Sequence, residues 1–228
     1  MKKSDIQGFD ISRFSAAVIG CGGLGCNVAV HLAGAGIGKL VLADFDEVSE
    51  SNLNRQFLYT AEDIGKPKAV LAAEKLKKYS PNTEIISVNK KIENADSLCE
   101  MKHCDIIFLA VDNNETRKIL QEFCCREKIP LVNGGINGFY GTAYLYVSEQ
   151  SPCLECAGLI KKESEHLNSV SSTAGIIGSL EAETGIKYLL NYDTDIAGVL
   201  HIYDNNEISK LSIKSQKNCK ICGVDNHV

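Results

Sequence analysis

A glycine-rich turn near the amino terminus constrains this chain more than any other feature. A short apolar run ends at Ile19, the glycines follow in Gly20-Cys21-Gly22-Gly23-Leu24-Gly25, and an alanine-rich segment continues to Ala35. A second apolar run then ends at Asp44. The pattern G-x-G-x-x-G between a strand and a helix, with an acid about 20 residues further on, is typical of a βαβ unit that binds a nucleotide. Residues 18–68 are therefore predicted to form a nucleotide site, the alternative being a tight turn without a ligand.

Beyond this turn, the chain alternates apolar runs with amphipathic segments. That alternation predicts an α/β fold with a doubly wound, mostly parallel, Rossmann-like sheet. The predicted strands are 16–19, 40–43, 84–88, 106–111 and 130–133, and the predicted helices are 23–35, 67–79 and 115–127. After residue 135 the pattern changes and predicts a strand at 142–147, a helix at 173–190 and antiparallel strands at 200–204 and 208–213.

No linker separates two independent domains, so residues 1–228 are expected to form a single domain. Residues 14–135 are its predicted nucleotide-binding half, and residues 136–228 are its second half. Residues 157–172 are polar and serine-rich, which predicts a loop that crosses the sheet. In the helix after this loop, the positions expected to be buried are Ile176, Ile177, Leu180, Ile186 and Leu189.

The overall composition excludes several classes of protein. A net charge of -5 and a pI of about 5.6 disfavour a general nucleic-acid binder, which usually carries a basic surplus. No apolar run approaches the length of a membrane span, and the amino terminus lacks the apolar core of a signal peptide. We therefore expect a cytoplasmic protein that binds neither membranes nor nucleic acids.

Residues after the turn indicate which nucleotide it binds. Asp44 can accept hydrogen bonds from a ribose, but NAD and ATP both carry one. Arg55 and Lys68 favour ATP, because attack on an α-phosphate builds charge on the phosphoryl oxygens and the departing pyrophosphate. Asp112 ends a predicted buried strand at the same sheet edge, where a carboxylate suits Mg²⁺. The alternative is that Arg55 and Lys68 are solvated surface charges and that Asp112 is a helix cap.

Two Cys-x-x-Cys pairs indicate a metal site in the second half of the chain. The pairs are Cys153-Cys156 and Cys219-Cys222, in a chain with ten cysteines. Two such pairs can bind one Zn²⁺ through four thiolates in a closed, structural site. The long stretch between them leaves two redox motifs or uninvolved thiols as alternatives. We predict structural zinc, which would attach the carboxyl terminus to the end of the main sheet.

Together these motifs resemble the ThiF/MoeB/HesA family of adenylating enzymes, which are related to ubiquitin-activating enzyme. The resemblance is carried by residues 20–25, 44–46, 51–56 and 65–68, by Asp112-Asn113 and by both cysteine pairs. It implies ATP, Mg²⁺ and structural zinc, and a homodimer that adenylates the C-terminal glycine of a small ubiquitin-like sulfur carrier ending in Gly-Gly, as in thiamine or molybdopterin biosynthesis. Residues 136–228 would then be the half that binds the carrier and the zinc. The predicted nucleotide contacts are Gly20, Gly22, Gly23, Gly25, Asp44, Asp46, Ser51, Asn52, Asn54, Arg55, Lys68, Asp112 and Asn113. The predicted catalytic residues are Arg55, Lys68 and Asp112, and Asp112 is the predicted magnesium ligand.

The chain departs from the family pattern in two places. Residues 1–12 contain no arginine, whereas family members often begin with Arg-Tyr-x-Arg-Gln, whose arginine reaches the ATP of a partner subunit. Residues 157–218 contain no cysteine, so adenylation is expected without a covalent intermediate on the crossing loop. There is no room for an appended rhodanese domain, so an external sulfur donor is expected. The alternatives are an NAD-dependent oxidoreductase and a non-catalytic, carrier-binding family member.

Overall fold

The computed structural model describes residues 9–160, 170–193 and 195–222. The strands in these ranges are β1 (Ser15–Ile19), β2 (Lys39–Ala43), β3 (Glu84–Val88), β4 (Ile106–Leu109), β5 (Leu131–Asn137), β6 (Tyr140–Tyr146), β7 (Val199–Asp204) and β8 (Glu207–Ser212). The α-helices are α1 (Gly23–Ala35), α2 (Lys68–Tyr79), α3 (Asn114–Glu127) and α4 (Ser171–Leu189). All eight strands form one sheet in the order β3-β2-β1-β4-β5-β6-β7-β8.

The direction of the strands brings several chain turns to one edge of the sheet. Strands β1 to β5 run parallel, and β6, β7 and β8 are added antiparallel to their neighbours. In the register of the sheet, Ile19 at the end of β1 lies beside Ala43 of β2 and Leu109 of β4. The turns after these three residues therefore meet at a single edge, called the carboxyl edge below. Ligands of doubly wound sheets bind at such an edge.

Both faces of the sheet are covered, which explains the continuous apolar runs of its central strands. Helices α1, α2 and α4 contribute to the core on one face, and α3 with the first cysteine pair contributes to the core on the other. Helix α4 packs closely against α1, because a Cβ on Gly178 would lie 2.6 Å from Cβ of Asn27. All four residues of β4 are buried as a result.

The predicted mostly parallel α/β sheet with antiparallel carboxyl-terminal strands is confirmed, but its middle differs from the prediction. Strand β5 continues through Gly134 and Gly135 to Asn137, where a change of pattern was expected. These glycines pair with Ala143 and Thr142 of β6, so β5 and β6 form an antiparallel hairpin in place of the separate strands predicted at 130–133 and 142–147. A side chain at Gly134 would overlap Glu181 of α4, which explains why the strand carries glycine there.

Helix α4 begins at Ser171, two residues before its predicted start. Of its expected core positions, Ile177 and Leu189 are buried and Leu180 and Ile186 are partly buried, but Ile176 is 36% exposed. The face that packs on α1 and the sheet instead carries small residues and Glu181. Residues 161–169 of the predicted crossing loop lie outside the described ranges. In the part of the chain that the structure describes, every helix is too short or too polar to cross a membrane.

Candidate active site and metal centre

The glycine turn joins β1 to α1 at the carboxyl edge. Gly20 has φ +91°, in the left-handed region that favours glycine, and a Cβ there would lie 2.6 Å from the carbonyl oxygen of Ala110. A Cβ on Gly25 would overlap the carbonyl oxygen of Gly20. These two glycines allow the turn, the helix and β4 to pack together, so the fold itself requires both.

Gly22 and Gly23 are not required by the fold in this way. A Cβ on Gly22 would make an ordinary contact, 3.5 Å from Nε2 of Gln56. Gly22 is also the N-cap of α1, where no side chain caps the helix and the first turn contains no acidic residue. The first N–H groups of a helix have no intrahelical partner and lie at the positive end of its dipole. The turn is therefore suited to bind an anion such as phosphate.

Alanine substitutions should separate the two kinds of glycine. Gly25→Ala is expected to prevent correct folding, because its Cβ has no room. Gly22→Ala should change the thermal midpoint by less than about 2 °C and weaken ATP binding at least about tenfold, because a methyl group blocks close approach of phosphate to the backbone. Thermal unfolding and ATP titration measure the two effects. Full ATP affinity in the Gly22→Ala variant would contradict a phosphate site at this turn.

Asp44 follows β2, and its carboxylate lies against the glycine turn. Its Oδ2 accepts the N–H of Cys21 at 2.7 Å, and its Oδ1 accepts the N–H of Asp46 at 2.8 Å. Burial raises the pKa of Asp44, and the two backbone N–H groups and the charge of Lys68 oppose that rise. Each oxygen can accept a further hydrogen bond. Asp44 is therefore fixed in a position where it could accept hydrogen bonds from a ribose.

Arg55 is held beside the glycine turn by its own loop. Its Nη1 donates to the carbonyl oxygen of Ser51 at 3.0 Å and to Oδ1 of Asn54 at 2.9 Å. Its aliphatic stem lies over Gly23, where a Cβ would be 3.4 Å from Cγ of Arg55. Oδ1 of Asn52 closes a capping box at the start of a short 3₁₀ helix in the same loop. In this structure, the predicted contacts Ser51, Asn52 and Asn54 stabilise the loop that orients the guanidinium.

Lys68 begins α2 and is 5% exposed, so it is not the solvated surface charge of the alternative interpretation. Its Nζ lies 3.1 Å from Oδ2 of Asp46, and its backbone N–H donates to the carbonyl oxygen of Asp46 at 2.9 Å. An ammonium group has three donors, so this pair leaves two for a ligand. Asp46, a predicted nucleotide contact, orients Lys68 in this structure.

Asp112 and Asn113 connect β4 to α3. Asn113 is the N-cap, because its Oδ1 accepts the N–H of Thr116 at 2.8 Å. Asp112 is therefore not needed as the cap, and its exposed carboxylate makes no hydrogen bond to any residue in the described ranges. The contact between Ala110 and Gly20 places this strand end beside the glycine turn. A free carboxylate at this position fits a magnesium ligand.

Two buried side chains of the site were missed from the sequence. Gln56 is 3% exposed, and its Oε1 has no hydrogen-bond partner among the described residues. Tyr59 is also buried, and its O–H donates to the carbonyl oxygen of Cys21 at 2.9 Å and lies 3.2 Å from that of Lys68. Tyr59 thus ties the glycine turn to the start of α2. The sequence signal for Gln56 was its place at the end of the 51–56 motif, directly after Arg55.

The four predicted zinc ligands form a cluster on the α3 face of the sheet. Their sulfur atoms all lie within 4.8 Å of one another, and the sulfurs of Cys153 and Cys219, like those of Cys156 and Cys222, are 3.5 Å apart. Tetrahedral zinc with Zn–S bonds of about 2.3 Å would separate its sulfur ligands by about 3.8 Å. The cluster is therefore compatible with zinc, and it joins the two cysteine pairs as the sequence predicted.

The surroundings of this cluster also fit a closed metal site. The backbone N–H of Leu154, between the first two cysteines, donates to Oε1 of Gln121 on α3 at 2.9 Å. The N–H of Gln216 lies 3.3 Å from the sulfur of Cys156. Burial raises the pKa of the Cys153 thiol and raises that of Cys156 to about 11. A bound cation would favour the thiolate forms that burial disfavours.

The sequence and the fold were also compared with those of known proteins. The ThiF family model matches residues 7–224. The chain is 32% identical over 232 residues to the molybdopterin-synthase adenylyltransferase of Escherichia coli, covering 96% of this chain and 93% of that protein. It is 31% identical over 216 residues to the E. coli sulfur carrier protein ThiS adenylyltransferase, covering 92% and 86%. Among solved structures, E. coli MccB with ATP superimposes with a TM-score of 0.84 at 24% identity, over 93% of this chain and 67% of that one.

Proposed function

Because the chain belongs to the ThiF family, we propose that it is an adenylyltransferase that uses ATP to activate the C-terminal glycine of a small sulfur-carrier protein. One observation carries this proposal. The glycine turn lies at the same sheet edge as four charged side chains, which are Asp44, Arg55, Lys68 and Asp112. The same reaction is supported by the two E. coli adenylyltransferases named above, which share about a third of their sequence with this chain.

In the proposed reaction, a carboxylate oxygen of the carrier's terminal glycine attacks the α-phosphorus of ATP. A new P–O bond forms as the bond between the α-phosphorus and the bridging oxygen breaks. The products are a carrier acyl-adenylate and pyrophosphate, which leaves with the electron pair of the broken bond. Oxidation and reduction play no part, and no protein side chain becomes covalently attached.

The chain's own residues bind the nucleotide and neutralise charge. The N–H groups at the start of α1 bind phosphate, and Asp44 accepts hydrogen bonds from the hydroxyl groups of the ribose. Arg55 and Lys68 stabilise the negative charge that grows on the phosphates during the reaction. Because Lys68 is buried in a fixed position, little reorganisation is needed as that charge develops.

Two metals belong to the proposal. Asp112 would hold Mg²⁺, which supplies positive charge to the phosphate oxygens when bound. Cys153, Cys156, Cys219 and Cys222 would hold one structural Zn²⁺. Homodimer formation, a cytoplasmic location, the Gly-Gly end of the carrier and an external sulfur donor stay predictions from the sequence.

Two experiments test the function against its alternatives. Intact-mass spectrometry of a Gly-Gly carrier, incubated with the enzyme, ATP and Mg²⁺, should show an AMP adduct that a carrier lacking its last glycine does not form. Asp112→Ala should reduce adduct formation strongly. The second experiment titrates the protein with NADH and with ATP. Tight NADH binding without ATP binding would support an oxidoreductase instead. ATP and carrier binding without any adduct would support the non-catalytic alternative.

A further inference from the structure

Helix α4 buries a carboxylate that the proposed reaction does not use. Glu181 is 0% exposed, and neither carboxylate oxygen has a hydrogen-bond partner among the described residues. A buried carboxylate without hydrogen bonds is costly, so the pKa of such a group rises and its neutral form is favoured unless another charge compensates it. Burial raises the pKa of Glu181, and the charge of Arg117 opposes that rise.

Arg117 on α3 joins the ends of two neighbouring strands. Its Nη2 donates to the carbonyl oxygen of Val111 at 2.6 Å and to that of Gly134 at 3.2 Å, and its Nη1 donates to Oδ1 of Asn133. Val111 immediately precedes Asp112. The planar guanidinium therefore fixes the backbone that carries the predicted magnesium ligand to the adjacent strand β5.

Glu181 and Arg117 approach β5 from opposite sides. Asn133, which contacts Arg117, faces the α3 side of the sheet, and Gly134 faces α4, where a Cβ would overlap the carboxylate of Glu181. Glycine at this position therefore lets the carboxylate reach the backbone that Arg117 holds. Burial lowers the pKa of Arg117, and the charges of Glu181 and Asp112 both act against that change.

We propose that Arg117 is a positioning residue for Asp112, and that the Glu181 carboxyl packs against the same backbone from the far side of β5. The inference rests on the proposed function, because it assumes that Asp112 holds the Mg²⁺ that accompanies ATP. Arg117 fixes the strand end through Val111 and thereby sets the place of the Asp112 carboxylate.

The test uses nucleotide binding without any carrier, so that no turnover occurs. Calorimetry measures the affinity for ATP with Mg²⁺ and with EDTA, and the ratio of the two affinities reports the coupling between metal and nucleotide. For the unmodified protein we expect a ratio of about ten, within the usual range for coupled sites. Asp112→Asn should lower the ratio to about two or less.

Two variants remove the positioning in different ways. Arg117→Met removes the guanidinium, and Glu181→Gln in the same variant removes the buried carboxyl, so that no buried carboxylate loses the opposing charge of Arg117. Arg117→Lys keeps a cation opposite Glu181 but cannot reproduce the planar set of hydrogen bonds. Both should unfold near the temperature of the unmodified protein and lower the ratio to about two to three. Lys118→Met, an exposed change on the same helix, should keep the full ratio.

The outcomes separate this inference from the proposed function. If both Arg117 variants keep the full ratio while Asp112→Asn loses it, Arg117 has only a structural role and the inference is wrong. If the unmodified protein binds no ATP with or without Mg²⁺, the proposed function fails and the inference fails with it. A lowered ratio in the folded variants, with unchanged affinity in EDTA, supports the positioning role.

Discussion

Lys68→Met is expected to lower the rate of carrier-dependent pyrophosphate exchange by about 100- to 1,000-fold, the usual effect of losing one fixed group that stabilises transition-state charge. Lys68 is 5% exposed and its ammonium group lies 3.1 Å from Oδ2 of Asp46, so its charge is held in place beside the proposed phosphate site. Water cannot replace it easily in a buried position. Steady-state exchange at saturating ATP measures the effect.

The matched control for this change is Lys66→Met, two residues earlier in the chain. The Lys66 side chain is 54% exposed and lies 3.9 Å from Asp63, so its loss should change exchange by less than about twofold. Lys68→Met should also remain folded, because methionine fills a similar space and Asp46 stays half-exposed to water. A folded Lys68→Met enzyme with normal exchange would contradict the assigned role.

Cys222→Ser is expected to abolish stoichiometric zinc binding and to destabilise the protein by about 4 kcal/mol, a large effect of the size caused by loss of a structural metal. In a chain of this length, that corresponds to a fall of about 10 °C in the thermal midpoint. Cys222 is only partly buried, so the substitution itself creates no large cavity. Metal analysis of the purified protein and thermal unfolding measure the two effects.

Cys99→Ser is the control for the zinc prediction, because Cys99 is exposed and lies outside the cluster. It should keep one zinc per chain and an unchanged thermal midpoint. Zinc affinity should also fall as the pH is lowered, because burial raises the pKa of the Cys153 and Cys156 thiols, whose protons compete with the metal. Less than half a zinc per chain in freshly purified, unmodified protein would contradict the structural site.

The first βαβ unit was predictable because its signals are local. Helix α1 begins at Gly23 and ends at Ala35, as expected, since the glycine turn precedes it and Gly36 terminates it in a left-handed conformation. Strand β3 also has its predicted bounds. The sequence could predict that the two cysteine pairs share one site, because a tetrahedral zinc ion takes four ligands whatever the length of chain between the pairs.

Other parts of the site depend on contacts between distant segments, which no local pattern records. Arg117 and Glu181 lie on different helices and act on the same strand. Gln56 and Tyr59 are polar residues in a loop, and only the packed structure shows that they are buried. The prediction that Ile176 is buried was wrong for the same reason, because helical periodicity cannot tell which face of α4 meets α1 and the sheet.

The most direct test of the central claim is the exchange of labelled pyrophosphate into ATP. We expect exchange that requires the enzyme, Mg²⁺ and a carrier ending in Gly-Gly, and that falls to background when the carrier lacks its terminal glycine. The dependence on the glycine tests whether the enzyme requires the intact C-terminus of the carrier. Absence of exchange with every cognate carrier tested, in folded protein that binds ATP, would contradict the account.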